Sequence, residues 1–342
     1  MHLRAGRCNP SGDVQSAAVA FANVRFIVYG AGAVGGVLGA YLHGSGRDVI
    51  FVARGAHLDA IRERGLTLQT PSFTRTLPVH AVGAVGDVDW RSDDVLVLSV
   101  KSQDTTGVLR GISGYADPAM PVVCVQNGVS NEAEALRLFS NVYGVCVMSP
   151  TTHLEPGVVR ADSDPVPGLL DIGRFPGGLD DTAQSIAATF RDAGYESVPR
   201  ADVMDWKYGK LLRNLANAVN AVCGRQDGTA DLTAKLVAEG EAVLRAAGIG
   251  YIDEFTDAAR RADILKVLTT GTRAGSSSWQ SLARGTGAIE ADYLNGEIVL
   301  QGRQHGVETP YNENARQWAN RFARERRSPG TLPVESWLET VG

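Results

Sequence analysis

The pattern of apolar and polar positions changes near residue 200. From residue 25 to about residue 195, amphipathic stretches of helical period alternate with apolar runs of strand length, namely RFIVYG, DVIFVAR, DVLVLSVK, PVVCVQNG and VYGVCVMS. Strands that alternate with helices predict a parallel sheet covered on both faces. Beyond about residue 200 the apolar stretches are long and helical in period, as in VMDWKYGKLLRNLANAVNAV. The sequence therefore predicts an α/β domain followed by an all-α domain.

This pattern divides the chain into four parts. We place the α/β domain at residues 25–198, the helical domain at residues 199–330, and a C-terminal tail at residues 331–342. Residues 1–24 contain two arginines and a short AAVAFA run, which faintly resemble a signal peptide. Because the run is short and a strand follows at once, we interpret this leader as a disordered extension or as the result of a mis-set start.

Composition and charge narrow the class of protein. The chain has 342 residues, enough for two domains, and a net charge of −5, which provides no basic surface for a nucleic acid. No apolar run reaches the roughly 20 residues of a membrane span. The four cysteines are far apart and three lie in apolar runs, which indicates buried reduced thiols. With only six scattered histidines, we expect no metal site, and we expect a cytoplasmic monomer or homodimer that acts on a small molecule.

A glycine-rich loop joins the first predicted strand to a helix. Its residues are Gly30, Ala31, Gly32, Ala33, Val34 and Gly35. Between a strand and a helix that leads into a second strand, this GxGxxG pattern is typical of a dinucleotide-binding site. Gly30 permits the tight turn, Gly32 lets the backbone approach a pyrophosphate, and Gly35 lets the helix pack close to the sheet. The alternative is a loop that is merely tight.

Polar residues follow the carboxyl ends of later strands. The second strand leads into Arg54, where a site selective for NAD usually carries Asp or Glu, and an arginine suits the 2′-phosphate of NADPH. Its alternative interpretation is a surface arginine on a loop. Lys101, Gln103 and Asn127 follow two further strands, and open α/β sheets bind ligands at such ends. The sequence therefore predicts an NADPH site with these residues as candidate contacts.

The stretch WKYGKLLRNLANAVNA places a lysine and two asparagines on one helical face. At about 100° per residue, Asn214 and Asn217 lie within roughly 40° of Lys210, and apolar residues occupy much of the remaining circumference. One interpretation is a polar stripe that faces solvent. The other is a stripe that faces a cleft, where the lysine protonates a developing alkoxide and the amides orient the substrate. That arrangement suits a carbonyl reductase, since a nicotinamide supplies only the hydride.

A serine cluster precedes another predicted helix, in GSSSWQSLARGTGAIEADYLNGE at residues 275–297. We predict a helix from near Ala288, with Glu290 in its first turn, where the helix dipole favours a carboxylate. On these residues alone, an acidic helix start with capping serines explains the pattern equally well.

Taken in order, these motifs resemble those of the ketopantoate reductase (2-dehydropantoate 2-reductase) family over residues 25–325. The matching pieces are GAGAVGG, VAR, VKSQD, QNGV, WKYGKLLRN and SSSW…IEADYLNG. The resemblance implies a Rossmann-type dinucleotide-binding domain at the N terminus and an all-α domain at the C terminus. It also implies that NADPH and a 2-keto acid bind in the cleft between the two domains.

The resemblance further implies roles for individual residues. Lys210 matches the family's catalytic lysine, which supplies the proton, and Glu290 matches its cleft glutamate, which helps to hold substrate and cofactor. Asn127 matches an asparagine near both the nicotinamide and the substrate. The remaining matches are the cofactor-contacting lysine at Lys101, the 2′-phosphate arginine at Arg54, and substrate-contacting positions at Asn214 and Ser278.

One position departs from the family pattern. Ala218 stands where the family commonly has a second asparagine, eight residues after the lysine. Asn217 is a candidate replacement, although the offset could instead mean a re-shaped pocket and a different 2-keto acid. The expected function is NADPH-dependent reduction of 2-dehydropantoate to (R)-pantoate, on the pathway to pantothenate. The alternatives are reduction of another 2-keto acid, an opine-type dehydrogenase, and a non-catalytic NADP(H)-sensing module.

Overall fold

The computed structural model describes residues 24–262, 264–267 and 275–341. Residues 1–23 of the predicted leader lie outside these ranges, and Val24 is buried directly before the first strand. No helix within the described ranges has both the length and the apolar character needed to cross a membrane.

A seven-stranded sheet forms the centre of the N-terminal domain. The strands of the chain are β1 Arg25–Tyr29, β2 Asp48–Val52, β3 Leu66–Gln69, β4 Thr74–Leu77, β5 His80–Val82, β6 Asp94–Leu98, β7 Val122–Cys124, β8 Val142–Met148, β9 Thr151–Thr152, β10 Val158–Ala161 and β11 Leu169–Arg174. The sheet has the order β11-β8-β7-β6-β1-β2-β5, and neighbours are parallel except for the antiparallel pair β8 and β11. Every apolar run that predicted a strand lies in this sheet, so the predicted α/β domain is confirmed.

A second sheet, which the sequence analysis did not predict, lies beside the first. Its order is β4-β3-β10-β9, and β3 pairs in parallel with β10 in a register that places Thr67 opposite Val158. Each of its strands has four residues or fewer. Such short strands carry too little alternation to be recognised, and their pairing joins segments that are far apart in the sequence.

The remaining elements are helices. They are α1 Ala33–Gly44, α2 Gly55–Arg64, α3 Ser102–Ile112, α4 Asn131–Leu136, α5 Asp181–Asp192, α6 Val203–Asn214, α7 Ala216–Cys223, α8 Thr229–Ala247, α9 Glu254–Arg261, α10 Ser277–Ala283, α11 Asn295–His305, α12 Pro310–Arg324 and α13 Val334–Leu338, with 3₁₀ helices at Val85–Asp87 and Glu290–Tyr293. From α6 onward the described elements are helical, apart from an isolated bridge between Ser163 and Val267. The predicted helical domain is therefore confirmed.

The thiols of the described residues also follow the prediction. Cys124, Cys146 and Cys223 are buried and free. Each lies in an apolar element of the sheet or of the helical core, where a reduced cysteine packs as a small apolar residue. Cys8 lies outside the described residues.

The helix that carries Lys210 is interrupted, whereas the sequence predicted one continuous helix. α6 ends at Asn214 and α7 begins at Ala216, while Leu215 between them keeps helical angles (φ −58°, ψ −32°). Asn295 Nδ2 donates to Leu215 O at 3.2 Å, and a side chain inserted into the backbone ladder interrupts a helix. Because Leu215 stays helical, the polar residues before and after it stay on roughly the same helical face.

The helix predicted from near Ala288 also differs in the structure. Glu290–Tyr293 forms a 3₁₀ helix, and Leu294 (φ −113°, ψ −89°) separates it from α11. Glu290 therefore lies in the first turn of a 3₁₀ helix rather than of a long α-helix. Asn295 at the start of α11 is buried and donates to Asn312 Oδ1 at 3.0 Å, a tertiary contact that sequence periodicity does not report.

The segment predicted as a tail, residues 331–342, takes part in the core of the helical domain. Leu332, Val334 and Trp337 are at most 5% exposed, and Leu332 N donates to Val222 O at 3.1 Å. α13 has only five residues, which is too short for a helical period to be recognised. The expectation of a tail is therefore wrong for the described part of this segment.

A buried carboxylate joins the two domains. Asp171 on β11 has no exposed surface and accepts hydrogen bonds from Arg260 of α9 at 2.9 and 3.1 Å. Arg200 donates to the same carboxylate at 2.7 Å, and its guanidinium lies over the Trp206 ring at 3.7 Å from the centroid. These contacts hold α6 and α9 against the edge of the large sheet.

We predict that Asp171→Ala lowers the free energy of unfolding by about 3–5 kcal/mol, because it leaves buried guanidinium groups without their carboxylate. Urea unfolding followed by tryptophan fluorescence measures the change. The control is Asp192→Ala, because that carboxylate is 64% exposed and pairs with Arg47 at the surface, where a pair contributes at most about 1 kcal/mol. Equal losses in the two variants would contradict the assigned role of Asp171.

Candidate active site

The glycine-rich loop follows the carboxyl end of β1, which is an interior strand of the large sheet. Gly30 has a φ of +104°, which favours glycine, and its N–H donates to Val52 O at 3.1 Å. A Cβ at Gly35 would collide with Ser99 Oγ and with Gly30 O, so α1 packs closely here. At Gly32 a Cβ would meet no atom of the described residues within 4 Å. The space beside Gly32 is therefore open to a ligand.

The start of α1 suits an anionic group. Ala33 and Val34 are its first residues, and its first turn contains no acidic side chain. The first N–H groups of a helix have no intrahelical partner, and they form the positive end of the helix dipole. Together with the open space at Gly32, this geometry leaves N–H donors and room for a pyrophosphate.

His57 holds the loop from α2, and the sequence analysis missed it. Its Nε2 lies 2.7 Å from Ala31 O, and its Nδ1 accepts from Gly157 N at 2.9 Å. Because Nδ1 is an acceptor, Nε2 carries the proton and donates to Ala31 O. Burial lowers the pKa of His57 to about 4, and the neighbouring His153 contributes to that shift. The imidazole is therefore neutral and fixes the loop to the second sheet, a contact for which the sequence offers no local signal.

Arg54 lies directly before α2, at the carboxyl end of the strand next to β1. Its side chain is 88% exposed, and Nη2 lies 3.4 Å from Asp104 Oδ2. An exposed ion pair of this length is weak. The guanidinium is therefore accessible to a phosphate that approaches the edge of the glycine-rich loop.

Lys101 and Gln103 lie at the beginning of α3. Lys101 Nζ donates to Ser281 Oγ of α10 at 2.6 Å, which connects the two domains. Burial lowers the pKa of Lys101, and the carboxylate of Glu290 opposes that effect. Gln103 Oε1 is buried and has no hydrogen-bond partner among the described residues. It is therefore an acceptor that a bound ligand can satisfy.

Asn127 and Lys210 meet between the two domains. Lys210 Nζ donates to Asn127 Oδ1 at 2.6 Å. Both residues line a narrow pocket, together with Gln126, Gly128, Val145, Cys146, Val147, Lys207 and Asn214. Burial lowers the pKa of Lys210 to about 8. An ammonium group with a pKa near neutrality is suited to give up a proton.

Two further predicted residues lie close to this pocket. Asn214 lines it, and Asn214 Nδ2 is buried without a hydrogen-bond partner among the described residues. Glu290 Oε1 accepts from Ser102 N at 3.1 Å and from Ser102 Oγ at 3.4 Å. Glu290 therefore binds the first turn of α3, beside Lys101, and holds the helical domain against the dinucleotide-binding domain.

The asparagines after Leu215 contact the serine cluster. Asn217 O accepts from Ser276 Oγ at 3.3 Å, and Asn220 Oδ1 accepts from Ser276 N at 3.0 Å. Ser276 also caps α10, in which Ser278 is buried. Ala218, at the position of the expected asparagine, is 2% exposed in the helical core. Asn217 is thus joined to the cap of the helix that carries Ser278, and Ala218 is not among the residues that line the pocket.

The glycine-rich loop and the lysine pocket together define the class of protein, a two-domain reductase that uses a dinucleotide. The sequence model of the family described as "Ketopantoate reductase PanE/ApbA" matches residues 26–177, and its C-terminal counterpart matches residues 202–319. The chain belongs to the ketopantoate reductase PanE/ApbA family.

Curated relatives match the chain across both domains. The 2-dehydropantoate 2-reductase of Archaeoglobus fulgidus is 30% identical over 297 residues, which cover 84% of this chain and 94% of that protein. The 2-dehydropantoate 2-reductase of Pyrococcus horikoshii is 26% identical over 297 residues, with the same two coverages.

Solved structures share the fold over most of the chain. A PanE/ApbA family ketopantoate reductase from Ralstonia eutropha JMP134 is 30% identical, with a TM-score of 0.74, and the match covers 89% of this chain and 99% of that chain. A ternary structure of D-mandelate dehydrogenase with NADH and anilino(oxo)acetate is 21% identical, with a TM-score of 0.76 and the same coverages. At that identity the second similarity concerns the fold alone.

The two glycines give a prediction that separates ligand binding from packing. Gly32→Ala is expected to keep the melting temperature of the wild type but to weaken dinucleotide binding, because its Cβ meets open space that a pyrophosphate would fill. Gly35→Ala is expected to lower the melting temperature, because its Cβ collides with the loop and with Ser99. Thermal unfolding and titration with NADPH measure the two effects. Unchanged NADPH affinity in Gly32→Ala would contradict the placement of the phosphates.

Proposed function

We propose that the protein reduces 2-dehydropantoate to (R)-pantoate with NADPH, a step of pantothenate biosynthesis. The observation that carries this proposal is the 2.6 Å contact between Lys210 Nζ and Asn127 Oδ1. Asn127 follows β7, which is two strands from the glycine-rich loop of β1 in the same sheet. Relatives that match both domains are named for this activity.

Lys210 has the properties of the proton donor. When bound, the reduced nicotinamide supplies the hydride for the C2 carbonyl of the substrate. The ammonium group stabilises the developing alkoxide and then protonates it. Asn127 Oδ1 accepts one N–H of this group and so orients the others, while the apolar lining formed by Val145 and Val147 favours release of the proton.

The neighbouring polar residues bind the rest of the substrate and the cofactor. Asn214 Nδ2, a buried donor without a partner among the described residues, is free for a substrate oxygen. Ser276 Oγ donates to Asn217 O, and Ser276 caps α10, which contains Ser278. We therefore assign Asn217 and Ser278 to the same part of the pocket. We assign Glu290, whose carboxylate binds Ser102 at the start of α3, to holding substrate and cofactor.

The choice of NADPH rests on Arg54. Its exposed guanidinium follows β2, where a 2′-phosphate would lie, and its contact with Asp104 is long and exposed. The chain reaches Lys101 and Gln103 after β6, and Asn127 after β7. We assign these three residues to the path of the cofactor toward the pocket. A bidentate guanidinium–phosphate contact would favour NADPH over NADH.

A second candidate is the reduction of another 2-keto acid by the same mechanism. The observation that favours it is Ala218 itself, a buried apolar residue at the position where the family commonly has an asparagine. The chemistry of Lys210 is the same for either substrate.

The proposed function predicts rapid oxidation of NADPH, followed at 340 nm, when 2-dehydropantoate is added to the wild-type protein. We expect slower turnover with NADH, with pyruvate and with 2-oxoisovalerate. Lys210→Met is expected to lower kcat by about 10²–10⁴-fold, because it removes the proton donor, while NADPH still binds.

Lys235→Met is the matched control, since Lys235 is exposed and contacts Tyr311 away from the pocket. Normal turnover by Lys210→Met would exclude its role as proton donor. Selective turnover of another keto acid would favour the second candidate, and NADPH binding without any turnover would favour a sensing module.

The pKa of Lys210 predicts the pH dependence of the reduction. The reaction requires the protonated amine, and burial lowers its pKa to about 8. We therefore expect kcat/KM to be level below pH 8 and to fall as pH rises through about 8, by roughly tenfold per unit. Lys210→Arg should lack this limb in its residual activity, since a guanidinium does not lose its proton in this range. A wild-type profile that stays level to pH 10 would contradict the assignment.

A further inference from the structure

A second buried lysine lies one helical turn before Lys210 on α6. Lys207 is 3% exposed, and its Nζ lies 2.6 Å from Glu132 Oε1. Glu132 has no exposed surface and lies in the first turn of α4. The pair therefore joins the helical domain to the N-terminal domain, and Lys207 also lines the pocket that contains Lys210.

Lys207 also binds the main chain beside the pocket. Its Nζ donates to Gln126 O at 3.0 Å and to Val145 O at 3.3 Å. Gln126 directly precedes Asn127, and Val145 belongs to β8. Three oxygen atoms therefore surround this ammonium group, two of them as hydrogen-bond acceptors and the third, from Glu132, as its ion-pair partner.

The residues next to the pair extend these contacts to Asn127. Asn131, which directly precedes the glutamate, donates from Nδ2 to Asn127 O at 3.0 Å. Gln126 Nε2 donates to Val100 O at 2.8 Å. The main chain at Asn127 is therefore held from both sides, and its side-chain amide has a defined direction toward Lys210.

We propose that Lys207 and Glu132 are a positioning pair, which holds Gln126 and α6 so that Asn127 Oδ1 and Lys210 Nζ remain in contact. This proposal rests on the proposed function, since it gives the pair a role through Lys210. A buried ion pair is usually no more stabilising than apolar residues of the same volume. Stability alone therefore does not account for two charges here, whereas a fixed geometry at the reacting group does.

The pair also belongs to the electrostatic surroundings of Lys210. Burial is the main cause of its lowered pKa, the charges of Arg213 and Lys207 reinforce the lowering, and Cys146 and the carboxylate of Asp257 oppose it. These groups lie on β8, α6 and α9, the elements around the ammonium. Loss of Lys207 together with Glu132 removes one charge of each sign and a restraint on α6 from these surroundings, so the pKa of Lys210 should shift.

The test removes both charges together, because a single substitution would leave the other charge buried without a partner. In Lys207→Met/Glu132→Leu the apolar volume is kept, and we expect a folded protein with nearly wild-type affinity for NADPH. We expect kcat to fall by about 10²-fold, as for a small displacement of a reacting group. The alkaline limb of the pH profile should move away from its wild-type position.

The matched control is Arg25→Met/Asp94→Leu. This pair is equally buried, with Arg25 Nε at 2.8 Å from Asp94 Oδ1, but it lies at the amino ends of β1 and β6, away from the pocket. We expect this control to keep the wild-type kcat and pH profile per folded molecule. Should the double variant at Lys207 and Glu132 fail to fold, Glu132→Gln, which keeps an oxygen near Lys207, is expected to show a smaller loss of kcat.

A measurement without turnover separates this proposal from the proposed function. The pKa of the Lys210 amine can be followed by NMR of ¹⁵N-lysine-labelled protein, with Lys210→Met to assign the signal. A shifted pKa of Lys210 in the Lys207 and Glu132 variant supports the positioning pair, even where the wild type reduces none of the tested keto acids. Wild-type kcat together with an unchanged pKa of Lys210 in that variant would overturn it.

Discussion

The contact between Lys210 Nζ and Asn127 Oδ1 is the interaction on which the arrangement of the two domains depends. The ammonium group lies in a narrow pocket that lowers its pKa, and a buried polar group without a partner costs free energy. The lysine comes from the helical domain and the amide follows β7 of the N-terminal domain, so the contact forms only when the two domains are packed together. Further contacts keep the domains in this position, namely Arg260 with Asp171, Ser102 with Glu290, and Lys101 with Ser281.

The parallel sheet explains why so many polar groups meet in one place. β1, β6 and β7 are adjacent and parallel, so the glycine-rich loop, Lys101 and Asn127 all follow carboxyl ends at the same edge. The strands themselves are buried, and apolar packing on both faces makes them a rigid support. The helical domain covers this edge, and it brings the lysine to the amide.

Local patterns explain what could be predicted from the sequence. The strands of the large sheet are continuous apolar runs, and the loop around Gly30 needs a backbone conformation that only glycine adopts easily. The second sheet escaped prediction because its pairing, such as Thr67 with Val158, joins short and distant segments. Lys207 and Glu132 escaped for the same reason, since nothing in either local sequence shows that the two charges meet.

The polar stripe of the lysine helix has two separate roles, which periodicity alone does not distinguish. Before Leu215 the stripe faces the pocket, through Lys210 and Asn214. After Leu215 it binds the serine cluster, because Asn217 O and the side chain of Asn220 both contact Ser276.

The departure at Ala218 therefore has a different meaning from the one that a sequence comparison suggests. Ala218 packs in the helical core, so an asparagine absent from this position leaves no gap in the lining of the lysine pocket. The main-chain carbonyl of Asn217 instead holds Ser276, the cap of α10, which carries Ser278. On the proposed function, a difference in the preferred keto acid would then arise from the placement of α10, while the role proposed for Lys210 would be the same.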